Sequence, residues 1–223
     1  MKRETAWTFE DLGFFLGAIV PSVFLASFLS GILPWSGARA LTAQMLLYVL
    51  LLSVLYVLAR VRHDIEFGKA VQWTLDFRYA WSYVISAPAL AIAVSVMGVL
   101  LRAPLIPNAI DQLTALDVPF WVVAVFAVML GPMFEELVFR GFLQPLLESR
   151  WGSMAGLILS SAAFSALHGT QNEWRWQYFV LLFVAGLAFG LARQRTNSTA
   201  ASFLLHMGFN LTQLTASMVQ RGS

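Results

Sequence analysis

Long apolar stretches alternate with short polar connections along this chain. Seven of them have the length a membrane-crossing helix needs, about 20 mostly apolar residues. They fall at roughly 12–33, 41–60, 80–101, 119–147, 152–170, 176–193 and 198–217. No short strands of alternating polarity are visible, so a β-barrel is disfavoured. The pattern predicts an all-α, polytopic transmembrane helical bundle of about seven spans, with one transmembrane domain filling residues 1–223. The longest connections are 61–79 and 102–118. The first mixes Phe67, Val71 and Trp73 with Lys69, and is read as an amphipathic loop or a helix lying in the interface.

Composition strengthens the picture. Of 223 residues, 59% are hydrophobic and 12% charged, about half the charge of an ordinary soluble domain. A net charge of +2 without a basic face gives no reason to expect nucleic acid. With no cysteine there are no disulfides and no thiolate metal sites. Lys and Arg gather in alternate connections, nine on one side against four on the other. That bias puts the N-terminus in the cytoplasm, and a bacterial plasma membrane is the expected location.

Against this background a few ionisable residues stand out, because charge at bilayer depth is costly. Within 119–147 the charged residues are Glu135, Glu136 and Arg140. Together they cost about 7–10 kcal/mol on the insertion scale, while the Val, Leu and Phe of the same stretch return roughly 5–9. The helix is therefore expected to turn its charges into the bundle. Glu136 and Arg140 are four apart, share a face and are expected to pair. Glu135 is rotated about 100° from Glu136 and is the carboxylate left free to act. Pro132, after Gly131, is expected to kink or loosen the helix one turn earlier.

Two further elements carry polar chemistry. Phe164-Ser-Ala-Leu-His168 ends a span rich in small residues, which allow close helix packing. His206 and Asn210, four apart, share a face of the last span. At 1.5 Å per residue, Glu135, His206 and Asn210 lie about 18, 14 and 20 Å from the cytoplasmic end, with His168 near 24 Å. Their overlapping depths point to one site. The chain has no HExxH, GxSG or GxGD motif and no aspartate in a span, so the chemistry left is water activation. A carboxylate acts as base, a histidine orients the water, and a second histidine with an amide stabilises an oxyanion. Glu135, His168 and His206 are equally the ligand set of a catalytic zinc with an open position. The residues alone leave metal-dependent and metal-free routes open.

Taken together, Glu135-Glu136-Leu-Val-Phe-Arg140, Phe164-x-x-x-His168 and His206-x-x-x-Asn210 resemble, in this order, the EExxxR, FxxxH and HxxxN motifs of the CPBP family. That family comprises the CAAX-protease and bacteriocin-processing (Abi) enzymes, including the Rce1-type prenyl endopeptidases. The resemblance covers about residues 119–215, the expected catalytic core. It implies a bundle of about eight helices around a membrane-embedded cavity, and an intramembrane endopeptidase. Glu135 and His168 would activate water, and His206 with Asn210 would form the oxyanion hole. Glu136 and Arg140 would support them. The resemblance leaves zinc open. The expected partners are a peptide or protein-tail substrate and the lipid bilayer. The rival readings are a non-catalytic membrane scaffold, chaperone or immunity protein of the same fold, and a small cation or proton transporter. The Gly186-x-x-x-Gly190 pattern of the sixth span is read as packing within the chain.

Overall fold

The computed structural model describes residues 5–34, 36–74, 77–106 and 118–222. Most of the 102–118 connection, Leu75 and Asp76 of the 61–79 connection, and Lys2 and Arg3 of the charge count lie outside the described residues. Every regular element among the described residues is helical. In chain order these are α1 (Phe9–Ser30), α2 (Ser36–Val57, prolonged by a wide turn over Leu58–Arg62), α3 (Phe67–Ala70) and α4 (Phe77–Leu100). They are followed by α5 (Phe120–Trp151), α6 (Ser153–Leu167), α7 (Trp176–Thr196) and α8 (Thr199–Gly222).

Among the described residues, five helical stretches are long and apolar enough to cross a membrane: Phe9–Ser30, Arg39–Arg62, Trp81–Leu100, Phe120–Trp151 and Trp176–Thr196. The other two windows also form helices, yet differ from plain spans. At 15 residues, α6 reaches about 22 Å, short of a hydrocarbon core of roughly 30 Å. Helix α8 is long enough but carries a polar face containing Ser202, His206, Asn210 and Gln213. The count of about seven thus becomes five full apolar spans and two helices whose polar or short character is satisfied by protein neighbours.

Helices α5 and α7 are central, their apolar windows 44% and 39% buried, whereas those of α1, α2 and α4 are 17% buried. The outer helices show Phe24, Phe28, Trp81 and Ile85 on their free faces. Such faces are at home against lipid tails and costly in water. The protein is an integral membrane protein.

The centre is held by polar groups rather than by apolar packing alone. Glu136, Arg140, Gln144 and Glu148 recur every four residues on α5, and all four are buried. This stripe faces α7, where Arg140 Nη2 donates to the Gly186 carbonyl at 2.9 Å and Gln144 Nε2 to that of Gly190 at 3.2 Å. A Cβ on Gly190 would lie 2.4 Å from Leu157 Cδ1 and 2.9 Å from Gln144 Oε1. The Gly186-x-x-x-Gly190 pattern therefore seats α7 against α5 and α6 inside the chain. Helix α6 folds back on the end of α5 through Gly152, at φ +88°, a conformation that favours glycine. Gly156 lies so close to α5 that a Cβ would stand 2.4 Å from Glu148 Cγ.

The connection after α2 is not a long interfacial helix. It makes the single turn α3, and Ala70 and Val71 are buried. Val71 and Gln72 then offer their carbonyls to the start of α8: Thr199 Oγ1 donates to Val71 at 2.6 Å and Thr199 N to Gln72 at 3.0 Å.

Candidate active site

The geometry of the site begins with irregularities in α5. Two wide turns, Phe126–Leu130 and Leu137–Leu143, flank the regular stretch Gly131–Glu136 that carries both glutamates. Such turns, together with prolines, strand backbone carbonyls. In α5 each stranded carbonyl finds a side-chain donor from another element. Gly131 N donates to Phe126 O, and the next residue, Pro132, has no N–H, so neither serves Ala127. Asn210 Nδ2 of α8 donates to the Ala127 carbonyl instead, at 2.8 Å. Pro145 likewise has nothing to give Arg140 or Gly141. Arg193 Nε of α7 donates to the Arg140 carbonyl at 3.1 Å, and Trp7 Nε1, ahead of α1, to that of Gly141 at 2.9 Å.

With α5 held in this way, the motif residues converge. Glu135 Oε1 lies 3.8 Å from His168 Nε2, and its Oε2 lies 3.8 Å from His206 Nε2. The side chains of Glu135 and His168 are 15% and 18% exposed, so they are sheltered but reachable. His168, at the C-terminal end of α6, points Nδ1 at the Phe164 carbonyl, 2.9 Å away. A carbonyl only accepts, so Nδ1 carries a proton, and Nε2 is the nitrogen turned towards Glu135.

His206 is held in the same sense by a different acceptor. Its Nδ1 lies 2.9 Å from Glu136 Oε1, while Ser202 Oγ donates to Glu136 Oε2 at 2.5 Å and Arg140 Nη1 stands 3.3 Å from Oε1. Surrounded by donors, Glu136 is a carboxylate, and His206 donates to it from Nδ1. Adjacent glutamates on α5 thus address opposite edges of one imidazole. Phe164 closes the group: its ring centroid lies 4.8 Å from that of His168 and 5.7 Å from that of His206, with the Arg140 guanidinium 4.6 Å from its centroid. Phe189 stacks on His206 at 4.3 Å.

Glu135, His168, His206 and Asn210 line a cavity of about 980 Å³, whose walls are otherwise mostly apolar and include parts of α1 and α2. Glu136 and Arg140 are fully buried and do not reach it; they stand behind the histidine. All six residues singled out from the sequence therefore occupy one neighbourhood, four at the cavity and two beneath it. Asn210 differs in one respect from its expected place in an oxyanion hole, because one of its amide hydrogens is committed to Ala127. Sequence reasoning missed Ser202, which shares the face of His206 and Asn210 at the same four-residue spacing. It also missed Trp7 and Arg193, whose only signal was Pro145, which strands their acceptors.

A zinc ion here would draw on Glu135, His168 and His206. Both imidazoles are oriented as zinc ligands usually are, Nδ1 bonded to a protein acceptor and Nε2 turned towards Glu135. Yet among the described residues no group of three or more His, Cys, Asp or Glu is gathered closely enough to hold an ion. As arranged, Glu135, His168 and His206 do not fit a bound zinc.

Residues 117–212 match the family model for type II CAAX prenyl endopeptidase Rce1-like proteins. No curated protein and no solved structure matches the chain.

Proposed function

We propose that the protein, whose residues 117–212 match the Rce1-like family model, is an intramembrane endopeptidase in which Glu135 activates water against a peptide bond. One observation carries the reading: a sheltered carboxylate is flanked by two imidazole Nε2 atoms, 3.8 Å on either side, at the wall of a large apolar cavity. At that separation neither histidine bonds Glu135 directly, and the gap suits a water held between them.

The steps follow from the donors and acceptors. Water gives one proton to Glu135 and directs its other hydrogen at His168 Nε2. Its oxygen bonds to the carbonyl carbon of the peptide, and the carbonyl π electrons move onto oxygen as an oxyanion. On collapse the C–N bond breaks, and Glu135 returns its proton to the leaving amine. His206, locked by Glu136 and Phe189, fixes one flank of the water site. The second amide hydrogen of Asn210 is a donor to the oxyanion. The substrates are peptides or protein tails associated with the membrane, approaching from the cytoplasmic side.

The test is turnover. Wild type and Glu135→Gln, purified in detergent with matched melting temperatures, are incubated with a membrane-tethered peptide library, and products are read by mass spectrometry with and without a chelator. Wild type is expected to cleave and Glu135→Gln to lose about 10²–10⁴-fold, the usual share of a general base. The chelator arm separates metal-assisted from metal-free turnover. Equal turnover by the two proteins rules out this role for Glu135. If neither cleaves and both bind a partner from native membranes, the scaffold reading replaces the enzyme.

A further inference from the structure

Glu135 and His206 sit inside long helices, where backbone hydrogen bonds on both sides hold the chain. His168 does not. It follows the last residue of α6, at φ −87° and ψ 5°, where the carbonyls of a helix lose their partners and the chain tends to fray. Its imidazole is tied back to the Phe164 carbonyl and stands 3.8 Å from Glu135. Any drift of the backbone at residue 168 therefore moves the ring relative to the carboxylate.

The chain beyond His168 turns back to hold it. Asn172 donates to the His168 carbonyl twice, from its side-chain amide at 2.9 Å and from its backbone N–H at 3.1 Å. The same N–H also reaches the Gly169 carbonyl, at 3.2 Å. Two residues on, Trp174 N donates to the Gly169 carbonyl at 2.8 Å. The indole lies on Gly169, where a Cβ would stand 2.4 Å from Cζ3 of Trp174. Closing the loop takes Glu173 and Trp174 into the left-handed region, at φ 52° and 54°, uncommon for residues with a side chain. Such conformations persist where the surroundings over-determine them, and they gather at functional sites. Thr170 and Gln171, enclosed by the clamp, line the same cavity as His168. The loop is thus part of the site and not merely a connection from α6 to α7.

We propose that Asn172 is a positioning residue for His168, its side-chain amide and backbone N–H clamping the His168 carbonyl so that the imidazole keeps its place beside Glu135. Two donors on one carbonyl fix both the distance and the tilt of that peptide group. An amide suits the task, because a carboxylate of the same shape has no proton to give. Gly169 and Trp174 close the loop behind the clamp. Asn172 does not line the cavity, so it acts through the histidine alone.

This inference rests on the peptidase reading for its effect on turnover, so the experiment reads His168 directly as well. The chain has three histidines, and their imidazole NMR resonances are assigned from His63→Gln, His168→Gln and His206→Gln. In Asn172→Ala the His168 resonances are expected to shift and broaden, while those of His63 and His206 stay. On one cleaved peptide its kcat is expected to fall by about 10–10²-fold, the scale of a misplacement of roughly 1 Å. KM and melting temperature are expected to change little. Asn172→Ser, whose hydroxyl bonds back to the carbonyl four residues earlier, is expected to recover most of the kcat. Gly169→Ala, which pushes the indole away and keeps Asn172, is expected to lose less than Asn172→Ala. In a His168→Gln background, Asn172→Ala is expected to cost nothing further. Unmoved His168 resonances, or the same fold-loss in both backgrounds, overturn the assignment, while a wild type that outpaces Glu135→Gln upholds the peptidase. A wild type that cleaves nothing removes the peptidase reading, and the resonances then decide the clamp: shifted at His168 alone they uphold it, unmoved they overturn it.

Discussion

At the scale of single residues, the site is a set of polar groups each fixed by a second group behind it. His206 is the clearest case: Phe189 lies against its face, Glu136 takes its Nδ1 proton, and Arg140 and Ser202 hold Glu136. Glu136 and Arg140 are both fully buried, so removing either leaves the other uncompensated in a low-dielectric interior. Arg140→Ala is expected to destabilise the protein by about 3–5 kcal/mol, measured as the shift in an unfolding titration in mixed micelles. The double variant Glu136→Gln/Arg140→Met is expected to be less destabilised than Arg140→Ala alone, because no unpaired charge remains. If the single and double variants are equally stable, the pair does not carry the interior charge as described.

At the scale of elements, α5 is broken in a controlled way. Prolines at 132 and 145 and two wide turns strand three carbonyls, and Asn210, Arg193 and Trp7 cover them from three other elements. The break at Pro132 ties α5 to α8 just ahead of the glutamates, and the one at Pro145 ties it to α7 and to the segment before α1. A double-mutant cycle tests this account. Asn210→Ala in the wild-type background is expected to cost about 1–3 kcal/mol, since it leaves the Ala127 carbonyl unsatisfied. In a Pro132→Ala background, where residue 132 regains an N–H, the same substitution is expected to cost measurably less. Equal costs in both backgrounds mean that the proline does not create the need for Asn210.

At the scale of the whole molecule, polarity is arranged inside out. Charged and amide groups occupy the centre between α5, α7 and α8, and large apolar side chains cover the outside of α1, α2 and α4. In a bilayer, apolar packing between helices brings little extra, so hydrogen bonds and close backbone approach hold the bundle. Phe28, on α1, is 76% exposed and is assigned to lipid. A tryptophan placed there, in a variant whose native tryptophans are subtracted by comparison with wild type, is expected to be quenched by brominated acyl chains. A placement at a protein interface would leave it unquenched.

The sequence by itself determined the solvent, the secondary structure and the identity of the polar residues. The long apolar windows could hardly be anything but membrane helices, although two of the seven became a short helix and a polar-faced one, and Glu135, Glu136, Arg140, His168, His206 and Asn210 were conspicuous because polar groups are expensive there. The Glu136–Arg140 pair was legible because a four-residue spacing fixes two side chains on one face whatever surrounds the helix. What tertiary structure decided was direction. From spacing alone Glu135 and Glu136 diverge by about 100°, and only the docking of α8 puts His206 where it meets both. The commitment of Asn210 to Ala127, and the place of Tyr48 and Gln44 in the cavity wall, were equally invisible. They depend on contacts between helices far apart in the chain, and no one-dimensional period encodes which faces will meet. A sequence states which groups a membrane helix must hide; the packing of the bundle selects the partners they are hidden against.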